Sequence, residues 1–262
     1  RTHRRRKRVP RRPCRPAGRL CVVALLLSLC GSSARAQSFP WRIEAESPQT
    51  RVLLRADTLD IVSPQGLSLW WAEPLVAPCV ITYRACVVVA DGPFDRLSDL
   101  NCFWMASMPL KSPTAHPLPL PEEGNPSEPK APNTIELPSP WGAWEGAFPM
   151  GGRFAESYRL QCYYLGFGGN HNTTTRFRRY TADTLGVTDA THRPPILREY
   201  TDQAHLLRPN HWYSIRIEVL ADGCTRYYID DELLVDYCDP EPLRRGWFAF
   251  RTTWSHTRLT GF

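Results

Sequence analysis

One short polar segment of the sequence combines side chains of the kinds that bind sugars. It holds two carboxylates, an arginine, an amide and an indole, from Asp95, Arg96, Asp99, Asn101 and Trp104. Planar polar groups hydrogen-bond to neighbouring sugar hydroxyls, and an aromatic ring covers the apolar face of a sugar ring. These five residues are therefore substrate-binding candidates. The same residue types also fit a structural role, in which Asp95 and Arg96 pair, Asp99 caps a turn and Trp104 lies in the core.

A glycine-rich connection supplies further polar candidates. Three glycines are followed by Asn170, His171 and Asn172, a composition that suits a tight connection with positive φ angles. Asn170 is a catalytic candidate, and His171 and Asn172 are substrate-binding candidates. An imidazole titrates near neutrality, so His171 is also a candidate proton carrier, although a lone histidine is more often structural.

The strand that follows predicts a site for an acidic ligand. Side chains alternate along a strand, so Arg176 and Arg178 share one face and Arg179 points to the other. If that shared face is the concave one, it suits a carboxylate-bearing ligand such as a uronic acid, because guanidinium groups bind carboxylates in bidentate fashion. Arg176 is a catalytic candidate that would neutralise the carboxylate, and Arg178 is a substrate-binding candidate. The alternative is that these arginines pair with surface acids.

The run RTTWSH near the C-terminus offers a charge, a stacking ring and a proton carrier. Trp254 and His256 are two residues apart and are expected to project together, Trp254 to stack on a sugar and His256 to act as a general base. Arg251 is a substrate-binding candidate. Tyr163 is a second catalytic candidate for proton transfer.

No motif of a known catalytic class accompanies these residues. The sequence has no Gly-x-Ser-x-Gly elbow, no phosphate-binding glycine loop and no HExxH. The two carboxylates of a glycosidase are set by space and not by sequence spacing, so they remain open. The acids to test for that role are Glu44, Glu46, Asp95 and Asp99.

The elements that position these residues are predicted to be strands. No stretch keeps a 3.6-residue apolar period, so helices are expected to be few and short. Short alternating segments separated by turn signals indicate an all-β fold, which we predict to be a two-sheet antiparallel jelly-roll β-sandwich with the functional face on its concave sheet. The predicted strands are residues 53–62, 67–71, 79–89, 100–106, 159–167, 174–180, 212–220, 225–229, 233–237, 246–253 and 257–262.

A proline-rich segment interrupts this pattern at about residues 109–140, which hold ten of the 25 prolines. Proline cannot donate a hydrogen bond to a sheet, so the segment is predicted to be a surface insertion. An inert insertion is favoured over a lid on the binding face.

The first 36 residues predict a signal peptide. A basic stretch precedes an apolar run that is too short to span a bilayer as a stable helix, and the small-residue site Ala34-Arg35-Ala36 predicts cleavage before Gln37. The mature domain is then 37–262, and we expect a secreted or periplasmic protein without a membrane span. Lipoprotein anchoring through Cys30 is the minor alternative.

The leader also changes the charge argument. Residues 1–36 hold 11 of the 32 Lys and Arg and none of the 26 Asp and Glu, so the remaining chain has a net charge of −5 in place of +6. A basic chain would suggest nucleic-acid binding, but a mildly acidic domain does not.

Six of the nine cysteines follow the leader, an even count that permits disulfides in an exported chain. Cys224 and Cys238 flank the Asp230-Asp231 turn almost symmetrically, so they are expected to face each other across a hairpin. The other four fit disulfides or small buried thiols equally well.

Three long segments point to a family. DRLSDLNCFWMA, YYLGFGGNHNTTTRFRRY, and LRPNHWYSIRIEV with the following RYYIDDELLVDYCDPEPLRRGWFAFRTTWSH resemble an uncharacterised bacterial family, domain of unknown function 6250. The resemblance runs from about Trp41 to Phe262. The family is similar to the YesU-like proteins encoded beside rhamnogalacturonan-degrading enzymes. The resemblance implies a fold of the concanavalin A-like lectin/glucanase superfamily and a role in polysaccharide breakdown, without an established activity. The proline-rich segment departs from the shorter connection expected there.

Two functions follow as hypotheses. The first is an enzyme on plant or algal polysaccharide, a lyase or glycoside hydrolase, and in a lyase an arginine or asparagine would neutralise a uronate while His or Tyr removes the α-proton. The second is a non-catalytic carbohydrate-binding module with Trp104 and Trp254 as stacking platforms, and a structural adhesion domain is a weaker third. An enzyme predicts that Arg176, Asn101 and His256 converge in one cleft, whereas a binder predicts a flatter, aromatic-lined face.

The expected partner is an oligo- or polysaccharide, and an acidic one is favoured over a neutral one. No cofactor is predicted. Several jelly rolls of this kind hold a structural calcium through oxygen ligands, but no acid-rich loop marks such a site in this sequence.

Overall fold

Strands dominate the chain where the computed structural model describes it, in residues 40–108, 150–182 and 193–262. Helical structure in these ranges is limited to 3₁₀ turns at Ala155–Arg159 and Gln203–His205 and a four-residue turn at Gly169–Asn172. The strands are, in chain order, β1 (Trp41–Ala45), β2 (Arg51–Arg55), β3 (Thr58–Trp71), β4 (Leu75–Val76), β5 (Cys79–Val87), β6 (Leu100–Ser107), β7 (Gln161–Gly168), β8 (Thr174–Thr181), β9 (Ile196–Tyr200), β10 (Trp212–Val219), β11 (Cys224–Ile229), β12 (Glu232–Cys238) and β13 (Arg245–Thr260).

Two long strands, β3 and β13, divide the molecule into two sheets. β13 pairs with β6 at residues 247–251 and with β5 at residues 257–260, and β3 runs antiparallel beside it along nearly its whole length. Sheet I therefore has the strand order β9-β8-β7-β6-β13-β3-β1, and sheet II has the order β12-β11-β10-β5-β13-β3-β2. The pairings within both sheets are antiparallel. The predicted antiparallel jelly-roll sandwich is confirmed.

The main hydrophobic core fills the space between the two sheets. Trp104 of sheet I is fully buried there, 5.8 Å from the ring of Tyr227 in sheet II. Its indole Nε1 donates a hydrogen bond of 3.0 Å to Thr225 Oγ1. Phe167 and Tyr213 make a second contact between the sheets, with ring centroids 4.9 Å apart. Because inward and outward side chains alternate, each strand of sheet I presents its other residues on the opposite face.

That opposite, outward face of sheet I carries a second apolar cluster. Trp70, Phe103 and Tyr164 lie on it, and Met150 and Tyr158 from the segment before β7 pack over them. The Trp70 and Phe103 rings are stacked 6.1 Å apart. This cluster covers one end of the face and leaves the other end open.

Several predicted strand boundaries are wrong. The predicted strand 53–62 is a hairpin of β2 and β3, because Ala56 has a φ of 55° and turns the chain. The predicted strands 246–253 and 257–262 are one strand, β13, and its ladder with β3 has a bulge at Trp254. At this bulge Pro64 and Gln65 of β3 lie opposite the single residue Trp254, and a bulge is a position where a sheet tolerates proline. Strands β1, β4 and β9 were not predicted.

The predicted pairing of Cys224 and Cys238 is confirmed. The two residues are register partners of β11 and β12, and their sulfurs form a disulfide. Among the other cysteines in the described ranges, Cys86, Cys102 and Cys162 are buried free thiols, and Cys79 is a half-buried one.

The predicted signal peptide at 1–36 and the proline-rich segment at 109–140 lie outside the described residues. Within the described ranges, no helix has the length and apolar character needed to cross a membrane.

Candidate functional site

A row of polar positions crosses the outward face of sheet I. The strand registers pair Ser68 with Arg251, Arg251 with Asn101, Asn101 with Gly166, and Gly166 with Arg176. Residues directly opposite each other in a sheet project from the same face, so these five positions form one line across β3, β13, β6, β7 and β8. Residues far apart in sequence are thus brought to one surface.

A cleft of about 500 Å³ lies over this row, and its lining is strongly basic. The acids that line it are Glu46 and Asp99. The arginines that line it are Arg96, Arg176, Arg178, Arg193 and Arg251. Five guanidinium groups against two carboxylates give the cleft a positive potential that favours an anionic ligand.

Arg251 is the buried cation at the floor of this cleft. Its side chain lies 4.8 Å from the ring of Phe154, and the residue is 3% exposed. Nη1 donates a hydrogen bond to the Thr252 carbonyl, but Nε has no partner in the described part of the chain. Burial lowers the pKa of Arg251, while Tyr164, Asp99 and other groups nearby act to raise it. A buried cation without an ion pair is unfavourable, and an incoming anion would relieve that cost.

Asn101 is held in the row by a chain of hydrogen bonds. Arg96 donates to Asp99 Oδ2 over 2.6 Å, and Asn101 Nδ2 donates to Asp99 Oδ1 over 3.2 Å. Arg96 also donates to the carbonyls of Thr253 and Trp254, over 2.8 and 3.2 Å. Asn101 Oδ1 is buried without a partner among the described residues. The ion pair considered between Arg96 and its neighbour at position 95 is wrong, because Arg96 pairs with Asp99.

The arginines of β8 face the cleft as the alternation predicts. Arg176 donates from Nε to Glu199 over 2.6 Å, which leaves its terminal nitrogens for other partners. Arg178 donates to the Pro194 carbonyl. Arg179 points the other way and forms an ion pair of 2.7 Å with Asp239. Pairing with an acid, the alternative considered for these arginines, therefore applies to Arg176 and Arg179.

His171 reaches the cleft through a turn in a left-handed conformation. Asn170, His171 and Asn172 have φ values of 52°, 59° and 59°. Such angles are unfavourable for residues with a side chain, and a run of three is unusual. Asn172 holds the turn, since its side chain donates to the Leu207 carbonyl over 2.9 Å and accepts from the Leu207 N–H over 2.8 Å. Asn170 and His171 line the cleft, whereas Asn172 does not line it and instead stabilises the turn through Leu207.

Tyr164 lines the cleft and was not predicted as a site residue. A Cβ at Gly166 would lie 2.7 Å from the Tyr164 hydroxyl oxygen, so glycine is required where that hydroxyl projects. Burial raises the pKa of Tyr164 far above its usual value, and the nearby Asp99 raises it further. The hydroxyl is therefore protonated at neutral pH and has a proton to donate. Arg193 also lines the cleft, and no pattern in the sequence distinguished either residue.

Two predicted site residues lie in the main core and do not line the cleft. Trp104 is enclosed between the sheets, so its ring is not available to stack on a ligand. Tyr163 is buried on the same inward face and donates a hydrogen bond of 2.8 Å to Asp239. The even–odd alternation of β6 and β7 puts both on the inward face, opposite Asn101 and Tyr164.

Asp95 and His256 also lie outside the cleft. Asp95 Oδ2 accepts hydrogen bonds from the N–H groups of Ala90 and Gly92, which closes a turn. His256 lies between two carboxylates, 3.0 Å from Asp60 and 3.3 Å from Asp95. An enzyme was expected to bring Arg176, Asn101 and His256 into one cleft. Arg176 and Asn101 both line the cleft, but His256 does not.

Of the two candidate glutamates, Glu46 lines the cleft and Glu44 does not. Glu46 lines the cleft and accepts a hydrogen bond from the Gly66 N–H, whereas Glu44 is buried at the end of the row beyond Ser68. Burial raises the pKa of Glu44 to about 8, and the nearby Trp70 indole offsets only part of that rise. Across residues 40–108, 150–182 and 193–262, no group of three or more His, Cys, Asp or Glu is placed to hold a metal ion.

Several solved structures are similar to the chain at low sequence identity. One is the carbohydrate binding module CBM66 from Bacillus subtilis, with 10% identity, 85% of this chain and 92% of that chain covered, and a TM-score of 0.46. Another is a Bacillus subtilis protein of unknown function with a galectin-like fold, with 12% identity, coverage of 84% and 86%, and a TM-score of 0.47. A third is the Emp47p carbohydrate recognition domain, with 10% identity, coverage of 84% of this chain and 86% of that chain, and a TM-score of 0.43. No curated protein sequence matches the chain.

The sequence also matches a family model over most of its length. The model is described as Domain of unknown function (DUF6250), and it matches residues 61–120 and 144–262. The break between the two matched parts falls largely within the proline-rich segment. The matched parts contain the cleft residues on β6, β7, β8 and β13, and the resemblance found in the sequence motifs is confirmed. The chain belongs to the DUF6250 family.

Proposed function

We propose that this domain binds an acidic oligosaccharide in the cleft on sheet I, with a sugar carboxylate held at Arg251. The observation that carries the proposal is the buried guanidinium of Arg251, whose Nε has no partner in the described ranges. A carboxylate is the anion that fits a planar guanidinium best, because it accepts two parallel hydrogen bonds. Arg178 lines the same cleft and supplies a second cation.

The remaining lining suits the uncharged part of a uronic acid. Asn101 lines the cleft and has an amide oxygen without a partner among the described residues, which is the acceptor proposed for a sugar hydroxyl, and the Tyr164 hydroxyl is the proposed donor. Phe154 lines the cleft beside Arg251 and offers an apolar ring to the carbon skeleton. The predicted signal peptide agrees with this function, since acidic polysaccharides of plants and algae lie outside the cell.

Binding calorimetry on the full chain tests the proposal. Galacturonate oligosaccharides are compared with galactose oligosaccharides of equal length, which differ in the carboxylate alone. Wild type is expected to bind the acidic series and to bind the neutral series at least about tenfold more weakly. Arg178→Gln is expected to weaken acidic binding by about tenfold. Equal binding of the two series, or binding of neither, would contradict the proposal.

A matched control separates the site from general charge. Arg226 lies on β11 of sheet II and forms an exposed ion pair with Asp236 at 3.3 Å. Arg226→Gln removes the same charge from the domain without touching the cleft, so it is expected to bind as wild type does. Equal losses from Arg178→Gln and Arg226→Gln would show that net charge, and not the cleft, governs binding.

A second function, β-elimination of a uronate chain, is favoured by the proton-carrying groups in the same cleft. His171 and Tyr164 line it together with Asn101 and Arg251. In that reaction a base removes the proton from the carbon beside the carboxylate, and the bond from the next carbon to the glycosidic oxygen breaks. A carbon–carbon double bond forms between the two carbons, and the departing oxygen takes up a proton. Arg251 and Asn101 would stabilise the charge that develops on the carboxylate.

The two functions differ in their products. Full-length protein is incubated with polygalacturonate and rhamnogalacturonan, and the absorbance of unsaturated products and the release of reducing ends are followed. A lyase gives both signals, and a hydrolase gives reducing ends alone. Binding with neither signal would identify the domain as a non-catalytic module.

A further inference from the structure

Trp254 is a large aromatic residue held in an exposed position next to the cleft. It is 50% exposed, and its φ of 41° places it in the left-handed region at the β13 bulge. A bulky residue rarely adopts this φ angle. A half-exposed indole also leaves much of its apolar surface in water, so burial does not explain its position. Strain of this kind persists where the surrounding structure enforces it, and it is concentrated at functional positions.

Three contacts hold Trp254 in place, two of them to its ring. Its Nε1 donates to the Pro93 carbonyl over 3.3 Å, and its own carbonyl accepts from Arg96 Nε over 3.2 Å. The guanidinium of Arg96 lies 5.7 Å from the ring centroid. The loop that carries Pro93 is closed by Asp95, whose carboxylate accepts from two backbone N–H groups. The indole is thus preorganised, which reduces the entropy that a ligand would lose by ordering it.

The same residues connect Trp254 to the cleft. Arg96 and Thr253 both line the cleft, and they are respectively the contact partner and the chain neighbour of Trp254. Trp254 itself does not line it. The ring therefore lies next to the cleft, on the side of Arg96.

We infer that Trp254 forms a second subsite, which takes the sugar next to the acidic sugar bound at Arg251. This inference rests on the proposed function and specifies its ligand as a chain of at least two sugars. A sugar ring has an apolar face of C–H groups, and a fixed, half-exposed indole covers such a face. The carboxylate gives the first sugar its position, and the indole adds affinity for the second.

The dependence of affinity on chain length tests the inference. Calorimetry on the full chain compares galacturonate with its di- and trisaccharide. Wild type is expected to gain about tenfold in affinity from mono- to disaccharide, and Trp254→Ala is expected to remove that gain. Trp254→Phe keeps an aromatic face and is expected to retain part of it.

A matched tryptophan provides the control. Trp212 begins β10 on sheet II, and Arg84 lies 5.4 Å from its ring, so it has a similar arginine neighbour away from the cleft. Trp212→Ala is expected to keep the gain with length. The disaccharide is also expected to change the tryptophan fluorescence of wild type and of Trp212→Ala but not that of Trp254→Ala.

The outcomes distinguish this inference from the proposed function. If wild type binds neither galacturonate nor its oligosaccharides, the proposed function itself is contradicted. Binding of galacturonate without a gain for longer chains leaves the proposed function intact and overturns the Trp254 subsite. A gain with length that survives in Trp254→Ala overturns it as well, because the second sugar then lies elsewhere.

Discussion

The charge of the cleft depends on Arg251 and on two buried polar groups in the same row. Asn101 Oδ1 is buried without a hydrogen-bond partner in the described part of the chain, and the Glu44 carboxyl is buried against the Trp70 indole and the backbone of Met150 and Gly152. Ser68 separates Glu44 from Arg251 in the strand register, so the two do not form a close ion pair. Because burial disfavours the charged carboxylate, Glu44 is mostly neutral at pH 7 and leaves the positive charge of Arg251 available to a ligand.

Glu44 is expected to make the stability of the domain depend on pH. Its carboxyl keeps a proton up to about pH 8 in the folded protein but ionises near the ordinary value of 4.5 when the chain unfolds. Between these values the unfolded state binds fewer protons, so the free energy of unfolding falls as the pH rises, by up to about 1.4 kcal/mol per pH unit. Glu44→Gln is expected to remove this slope, as measured by urea unfolding from pH 5 to pH 8. The exposed Glu241→Gln is the control, and a slope unchanged by Glu44→Gln would refute the assignment.

Of the two candidate histidines, one lines the cleft and the other lies outside it. His171 lines the cleft, whereas His256 lies outside it between Asp60 and Asp95. His171→Ala is expected to weaken galacturonate binding by about five- to tenfold, because a polar contact to an anionic ligand is lost. His256→Ala is expected to lower the melting temperature and to bind the monosaccharide as wild type does. The reverse order of effects in calorimetry would restore His256 as the site residue.

At the scale of single elements, the left-handed turn before β8 positions the polar groups at the end of the cleft. Gly168 begins this turn with a φ of +67°, and a Cβ there would lie 2.3 Å from Leu207 Cδ1. Leu207 is also the residue whose backbone N–H and carbonyl are hydrogen-bonded to the Asn172 side chain. The turn is therefore specified by one glycine and one asparagine acting on the same neighbour.

Two adjacent glycines test this account. Gly168→Ala is expected to lower the free energy of unfolding by about 2–3 kcal/mol, because it adds both a backbone strain and a steric clash. Gly169 has no positive φ, and a Cβ there meets nothing closer than 3.6 Å. Gly169→Ala is therefore expected to leave stability unchanged or to raise it by about 0.5 kcal/mol. Urea unfolding of both variants measures the difference, and equal effects would contradict the proposed geometry.

At the scale of the whole molecule, the two sheets depend on each other through β3 and β13. Sheet I carries the cleft, and the hairpin of β11 and β12 lies at the far edge of sheet II. That hairpin still contributes to the core under the cleft strands, since Thr225 and Tyr227 contact Trp104 of β6. Its disulfide thus stabilises the packing beneath the site without touching the ligand.

Removal of the disulfide is expected to destabilise the fold without changing the cleft. Cys224 and Cys238 are separated by 14 residues, and a closed loop of this size is worth about 3 kcal/mol in the unfolded-state entropy model. Cys224→Ser combined with Cys238→Ser is expected to lower the free energy of unfolding by about 2–3 kcal/mol and to leave galacturonate affinity unchanged. Cys79→Ser, which replaces a free thiol, is the control. A loss of affinity at a temperature where the double variant is folded would show that the hairpin shapes the cleft.

Features that follow from local alternation could be predicted from the sequence alone. A period of two along β8 predicted that Arg176 and Arg178 share a face, and the spacing about a tight turn predicted that Cys224 and Cys238 meet. The all-β class follows from the same patterns. These predictions succeed because a strand's alternation and a hairpin's register are set by neighbouring residues.

Which face of the sandwich each residue occupies, and what covers that residue, depends on how the sheets pack and could not be predicted from the sequence. Trp104 and Asn101 lie on one strand, yet the packing of sheet II buries the first and leaves the second in the cleft. At Trp254 one residue of β13 lies opposite two residues of β3, and the alternation along β13 shifts there, so His256 does not share the face that the sequence suggested. Arg193 reaches the cleft through chain folding that no local pattern encodes. Faces are assigned by the contacts between sheets, and a sequence read as separate strands does not contain them.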